Sequence, residues 1–342
     1  MTFNLLTRTF VGMAMLFLIL TCVLCAAAQA QDRPRYVSII AENDIFAPKA
    51  QDRHYTSGLR LAYGLQDGSQ QPWSSWLGRL APLQAVADNQ NYELAIGQNI
   101  YTPEFFRTSG LVVNDRPYAG WLYGELSVNS HAPGMEEGLV VNLGTIGPAA
   151  LGEEVQKLLH TIINDPEPRG WDHQLENEPA VLLRYRRSWF HPLFLYDHIQ
   201  GDLITRVGLS LGNIFTDTGF GTVFRIGSYL PEQDLPLRIQ PGPSGNRGYF
   251  TVRKQQFDWM VFAEVQGRGV ARNIFLDGNT FTDSHSVDRN KFVWDTATGF
   301  ILGFGQSRPS IFFSFSLVWR GEEFDQQRGN DSFGSALIGI QY

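Results

Sequence analysis

Beyond residue 25 the chain contains no cysteine; its only two, Cys22 and Cys25, fall in an apolar leader. Downstream of the leader this excludes a disulfide scaffold, a thiolate zinc site and a cysteine nucleophile. An excess of basic charge is also lacking. Lysine and arginine total 27 against 34 aspartates and glutamates, a net charge of −7, so nucleic acid is not an expected partner. After the leader no apolar run approaches the ~20 residues of a spanning helix. Any membrane crossing must then be made by strands, the other structure that satisfies its own backbone in lipid.

The leader has three parts. Arg8 is the one charge of a short polar start, an apolar run covers roughly Phe10–Leu24, and small residues end it at Ala28-Gln29-Ala30. That layout is expected to be a secretory signal peptide over residues 1–30, leaving 31–342 as one domain. The run is short for a membrane anchor, and Leu24 is too bulky for a lipoprotein site at Cys25.

What the body has in quantity is aromatic residues (13%) and glycine (34 residues), with charged residues at only 18%. The mean hydropathy of −0.16 suits a barrel that is apolar outside and polar inside. Alternation makes the same point. Ile311, Phe313, Phe315, Leu317 and Trp319 share one face of a strand whose other face holds Phe312, Ser314, Ser316, Val318 and Arg320. Trp259, Val261, Ala263 and Val265 oppose Asp258, Glu264, Gln266 and Arg268, and Val207, Leu209 and Leu211 oppose Arg206 and Ser210. The fold class read from this is all-β, a transmembrane antiparallel up-and-down barrel of about 12 strands in the outer membrane. Strand starts are expected near Tyr36, Thr56, Tyr92, Ala119, Gly138, Ala180, Leu203, Gly219, Phe257, Lys291, Ser310 and Gly334. The chain closes on Ala336, Ile338, Ile340 and Tyr342 facing outward, an aromatic end of the kind barrel assembly machinery reads. The inner-side connections Leu65–Asn91 and Pro231–Lys254 are long where turns are usually short; Trp73–Leu83 in the first is a candidate interfacial helix.

With the N-terminus in the periplasm, the ends of odd strands and the starts of even strands meet at the outer rim. Six unusual segments fall there: Ala41–Asp44, His54–Gly58, Gln98–Pro103, Asp115–Gly120, Thr145–Pro148 and Gly170–Glu178. Turn requirements account for Gly147 and Pro148, but not for Asn43-Asp44 beside an apolar strand. The connection between strands 5 and 6 carries the best helical stretch, Glu153–Ile163. Glu153 and Lys157 pair at i,i+4, and Gln156 and His160 share another face. Folded over the barrel mouth, this helix would aim His160 at the rim acids.

The set Glu42-Asn43-Asp44, Tyr55-Thr56, Gln98-x-Ile100-Tyr101-Thr102-Pro103, Asp115-Arg116, Ile146-Gly147-Pro148 and Gly152-Glu-Glu-Val-Gln156-x-x-x-His160 resembles the outer-membrane lipid A 3′-O-deacylase family. The resemblance covers most of the chain after the leader and is densest in Tyr36–Glu178. It implies a Ca²⁺-dependent barrel that hydrolyses an ester-linked acyloxyacyl chain of lipid A, the lipid part of lipopolysaccharide. His160 matches the family's catalytic histidine, and Gln156 the glutamine one turn before it. Asn43, Asp44 and Thr56 match the polar cluster facing it. The family's lysine after the Tyr-Thr-Pro motif has no ungapped counterpart. Thr108 stands there, and Arg107 is the nearest base, keeping the charge without the point-donor geometry.

Chemistry gives these residues roles. Histidine titrates near neutral pH and suits the activation of water. A hard cation suits oxygen donors such as Asp44, the Asn43 side chain, backbone carbonyls and water, and would polarise an ester carbonyl. Arg107 and Arg116 are candidate substrate contacts, with Arg116 alternatively pairing rim carboxylates. His173 is the candidate second histidine at the rim, and Asp115, Trp171, Asp172 and Glu176 are expected to hold the rim together. Two alternatives stand beside this reading. One is a serine-dependent outer-membrane phospholipase using Ser57, although no Gly-x-Ser-x-Gly occurs. The other is a non-catalytic channel or structural barrel whose interior Arg206, Asp258, Glu264 and Arg268 partly fill.

Overall fold

A computed structural model describes residues 35–47, 53–65, 90–164, 166–234, 238–239, 253, 257–305 and 309–341. The leader, the candidate helix Trp73–Leu83 and Tyr342 lie outside the described residues.

Twelve antiparallel strands close into one barrel in sequence order. They are β1 (Arg35–Asn43), β2 (His54–Leu65), β3 (Gln90–Thr102), β4 (Ala119–Ala132), β5 (Met135–Ile146) and β6 (Glu178–Tyr196), then β7 (Ile199–Gly212), β8 (Phe215–Gly227), β9 (Phe257–Asn273), β10 (Phe292–Gly305), β11 (Ser310–Arg320) and β12 (Asp331–Gln341). Closure pairs β1 with β12, with Val37 opposite Ile340 and Ala41 opposite Ala336. It leaves no sheet edge, which a span through lipid requires. Alternation sets the two faces as the sequence implies: Ile311, Val261, Leu209 and Ile338 are exposed on the outside, while Phe312, Glu264, Ser210 and Leu337 are buried inside.

The lumen is packed with paired charges. Arg60 bonds Glu93 and reaches Glu125 at 2.5 Å; Arg320 donates to Asp295 at 2.8 Å. Arg206, Asp258, Glu264 and Arg268 are all buried, as the sequence suggests. The long connection after β8 accounts for much of this packing, because it turns back into the barrel. Its Asp234 accepts from Arg206 at 2.8 Å, from Arg186 at 2.9 Å and from Ser188 at 2.9 Å. Its Arg238 donates to Glu264 at 2.9 Å, and the Ile239 N–H donates to Glu42, near the outer end of β1, at 2.8 Å. Glu42 also accepts from the Tyr55 hydroxyl at 2.9 Å. Described residues of this connection therefore meet β6 and β7 through Asp234 and the outer end of β1 through Ile239. From the outer side, the short helix after β9 (Ile274–Asp277) adds Phe275, whose ring stacks on Tyr101 at 3.8 Å and lies near Phe215 and Trp121.

Candidate functional site

The helix expected over Glu153–Ile163 forms as α1 (Gly152–Ile163). Its seat is set by glycine. A Cβ on Gly152 would lie 3.0 Å from Gly120 Cα and 2.7 Å from the Trp171 ring, so the helix approaches β4 only because both positions lack side chains. Gln98 Nε2 donates to the Ala150 carbonyl just before the helix at 2.6 Å. Val155 packs on a cluster of Ile100, Phe106, Tyr118 and Trp171. Gln98 and Ile100 belong to the outward set of β3 that includes exposed Leu94, and Gly120 to the outward set of β4. The helix therefore lies against the outer wall of the barrel at the rim, not over the mouth as the sequence suggests. The mouth is already occupied by Phe275 and its aromatic neighbours, whereas the wall offers a glycine seat.

The buried face of α1 carries Gln156 and His160, one turn apart. The Gln156 carbonyl oxygen accepts from the Trp171 indole N–H at 2.8 Å, while its buried amide nitrogen has no hydrogen-bond partner among the described residues. His160 Nδ1 lies 2.6 Å from the Pro166 carbonyl, which can only accept. The Nδ1 proton is thereby fixed, and in the neutral ring Nε2 carries the lone pair. Phe106 meets the His160 ring edge-on at 5.6 Å, and the Arg107 guanidinium sits 5.3 Å from the same phenyl ring. Arg107 is exposed, one aromatic ring away from His160.

The other expected residues lie at the adjacent ends of β1 and β2. Asn43 continues the outward set of β1 and caps a 3-10 turn (Asp44–Phe46), its side chain accepting from the Ile45 N–H at 2.8 Å. Asp44 is buried and accepts from the Arg53 N–H at 2.9 Å. Thr56 is the extra residue of a β-bulge between Tyr55 and Ser57. Its hydroxyl lies 2.7 Å from that of Thr102, at the outward end of β3. The segment Thr102–Phe106 thus touches both halves, Thr56 at one end and His160 at the other. Asp44 and Asn43 offer oxygen donors on a turn fixed by their own backbone contacts, which suits a hard cation. With a single carboxylate there, backbone carbonyls and water would complete the shell; among the described residues no three acidic or histidine side chains cluster as a metal site.

Arg116 is placed elsewhere. It is buried, donates to Glu323 at 2.8 Å and lies over the rings of Tyr101 and Phe324. Of the two roles expected for it, pairing a rim carboxylate is the one seen. Beside it His54, a non-glycine residue at φ 63°, is clamped between Asp331 at 2.7 Å and Asp115 at 3.3 Å. Burial alone would raise the Asp115 carboxyl, but His54, the Glu104 N–H and Arg116 outweigh it and hold it below the usual carboxylate range. These residues join the loops before β2, β4 and β12, where His54, Asp115 and Phe324 line a cavity of about 410 Å³ with Glu104 and Gln327. His173 is exposed, as are Asp172 and Glu176, whose loop is held through the Glu176 backbone by Asn279. Sequence reasoning missed Pro166, Phe106, Thr102 and His54. Of these, Thr102 and His54 stand in quoted rim segments, without a role assigned to them.

The family model of outer membrane protein LpxR matches residues 14–342. Among solved structures, LpxR from Salmonella typhimurium is similar at 24% identity and a TM-score of 0.73, covering 89% of this chain and 99% of that one. The beta domain of the Bordetella autotransporter BrkA (TM-score 0.43, 9% identity, 91% and 99% covered) matches weakly. So does the translocator domain of the autotransporter NalP from Neisseria meningitidis (0.40, 10%, 98% and 97%). No curated protein matches the chain.

Proposed function

The chain belongs to the LpxR family of outer-membrane proteins, a lipid A deacylase family, and from that premise we propose that it hydrolyses the ester-linked 3′-acyloxyacyl group of lipid A with His160 as general base. The observation that carries this reading is the pair Gln156 and His160 on the buried face of a helix laid against the lipid-side wall. A lipid substrate in the outer leaflet meets such a site sideways, without passing through the packed lumen.

His160 takes a proton from water through Nε2, and the water oxygen bonds to the acyl carbon. Collapse breaks the bond to the sugar 3′-oxygen, which receives the proton back from His160, and the acyl chain leaves as a carboxylic acid. The Pro166 carbonyl stabilises the imidazolium between these transfers, since it accepts the Nδ1 proton in both states. The Gln156 amide nitrogen donates to the substrate, and the Thr56–Thr102 hydroxyl pair orients the ester from the opposite side. A calcium ion held at Asp44, with Asn43 alongside, supplies Lewis-acid polarisation of the carbonyl when bound. Arg107 contacts a lipid A phosphate.

The test is mass spectrometry of lipid A from cells expressing the wild type or His160→Ala, with and without a calcium chelator. Loss of one acyloxyacyl group in the wild type alone, abolished by the substitution and by the chelator, is the expected result. Unchanged lipid A with folded wild type overturns the reading. Full activity of His160→Ala overturns the role of the histidine.

A further inference from the structure

We infer that α1 is itself a membrane contact: its stripe Leu151, Val155, Leu158 and Ile162 faces the acyl chains of the outer leaflet. Within the helix, spacings of three and four put Val155, Leu158 and Ile162 on one line, and Leu151 is the left-handed residue just ahead of the first turn. Leu151 is 39% exposed, Leu158 51% and Ile162 70%. The far side is polar, with Glu153, Lys157 and Thr161 at i,i+4 spacing and a 2.7 Å salt bridge between the first two. The remaining face, Gly152, Gln156 and His160, is buried on the wall.

The direction of the apolar stripe follows from its neighbours. The first turn rests on Gly120 of β4, and His160 reaches Phe106 after β3, so the helix runs along the rim. Val155, in the stripe, packs on Ile100, which faces out of the barrel below the end of β3. That edge of the helix therefore points down the wall, toward the exterior band where Leu143 is 58% and Val181 50% exposed. The stripe is continuous with the surface that lipid already covers. An amphipathic helix lying in the plane of the interface, with one polar face, has this composition. The inference rests on the outer-membrane setting and not on the deacylase reading.

Single cysteines at Leu158, Ile162 and Lys157, in a chain with Cys22 and Cys25 changed to serine, are labelled with a nitroxide and reconstituted in bilayers. Positions 158 and 162 are expected to be accessible to oxygen and protected from a water-soluble nickel chelate, with position 157 the reverse. Chelate access at all three overturns the inference, as does shielding of 158 and 162 from both reagents, which would mean a protein partner. In a second arm, Leu158→Glu with Ile162→Glu lowers hydrolysis of lipid A in bilayers about tenfold. The rate on the same lipid dispersed in detergent stays unchanged, and equal rates in bilayers overturn the inference. Inactivity of the parent enzyme in both media contradicts the deacylase reading while leaving the labelling result to stand.

Discussion

The lumen and the outer wall both bury polar side chains, and they bury them to different ends. Inside, Arg206, Arg238, Asp234 and Glu264 are matched charge against charge, and the connection after β8 completes the set. Outside, under α1, the buried groups are a histidine whose Nδ1 meets the Pro166 carbonyl and a glutamine whose carbonyl oxygen accepts from an indole. A buried charge matched by an opposite charge holds the fold together; a histidine and an amide set together on a lipid-facing wall are groups suited to proton transfer and ligand contact. The difference separates the part that holds the barrel together from the part proposed to act on lipid.

The sharpest way to break this comparison is Asp234→Ala. It removes the carboxylate shared by Arg206 and Arg186, which keep Glu264 and Glu136, and the excess positive charge left buried is expected to cost roughly 3–5 kcal/mol of stability, seen as a lower melting temperature. Hydrolysis at temperatures where the barrel stays folded should be retained. Loss of activity without loss of stability would mean that the lumen takes part in the reaction.

A smaller effect sharpens the outer half. Trp171→Phe keeps an aromatic ring on Gly152 and Tyr118 but removes the indole N–H from Gln156. Leaving that oxygen buried without a donor costs about 1–3 kcal/mol of stability, and because the indole orients the Gln156 amide, a fall in kcat of about tenfold is expected beside it, with KM unmoved. A change in KM or stability alone would assign Trp171 a packing role.

The smallest effect belongs to the rim clamp between the two regions. Asp115 is held below its ordinary range, so its stabilisation is complete above the unfolded carboxyl value of about 4 and is lost as pH falls through the lower folded value. Asp115→Asn should flatten the decline of melting temperature below about pH 4. A decline there as steep as in the wild type would contradict the clamp.

The strands were legible because period two survives in sequence wherever one face meets lipid, as in Ser310–Arg320 and Thr205–Gly212. The helix was legible from Gln156 and His160 at i,i+4, and the rim from topology. The seat of the helix was not, since it depends on Gly120 meeting Gly152 across a wall. The fate of the long connection after β8 was not either. A loop that fills the lumen differs from one that hangs free only in the partners Asp234 and Arg238 find on distant strands. His54 was placed at the rim but its role was not legible, because that role comes from Asp115 and Asp331, brought to it by loops far along the chain.

The most direct measurement compares initial rates of fatty-acid release from lipid A vesicles by purified wild type, His160→Ala and Asp234→Ala, at a temperature where melting curves show all three folded. The account expects His160→Ala to lose about 10²–10⁴-fold and Asp234→Ala to stay near the wild-type rate. Equal losses in the two variants, or activity in His160→Ala, would contradict it.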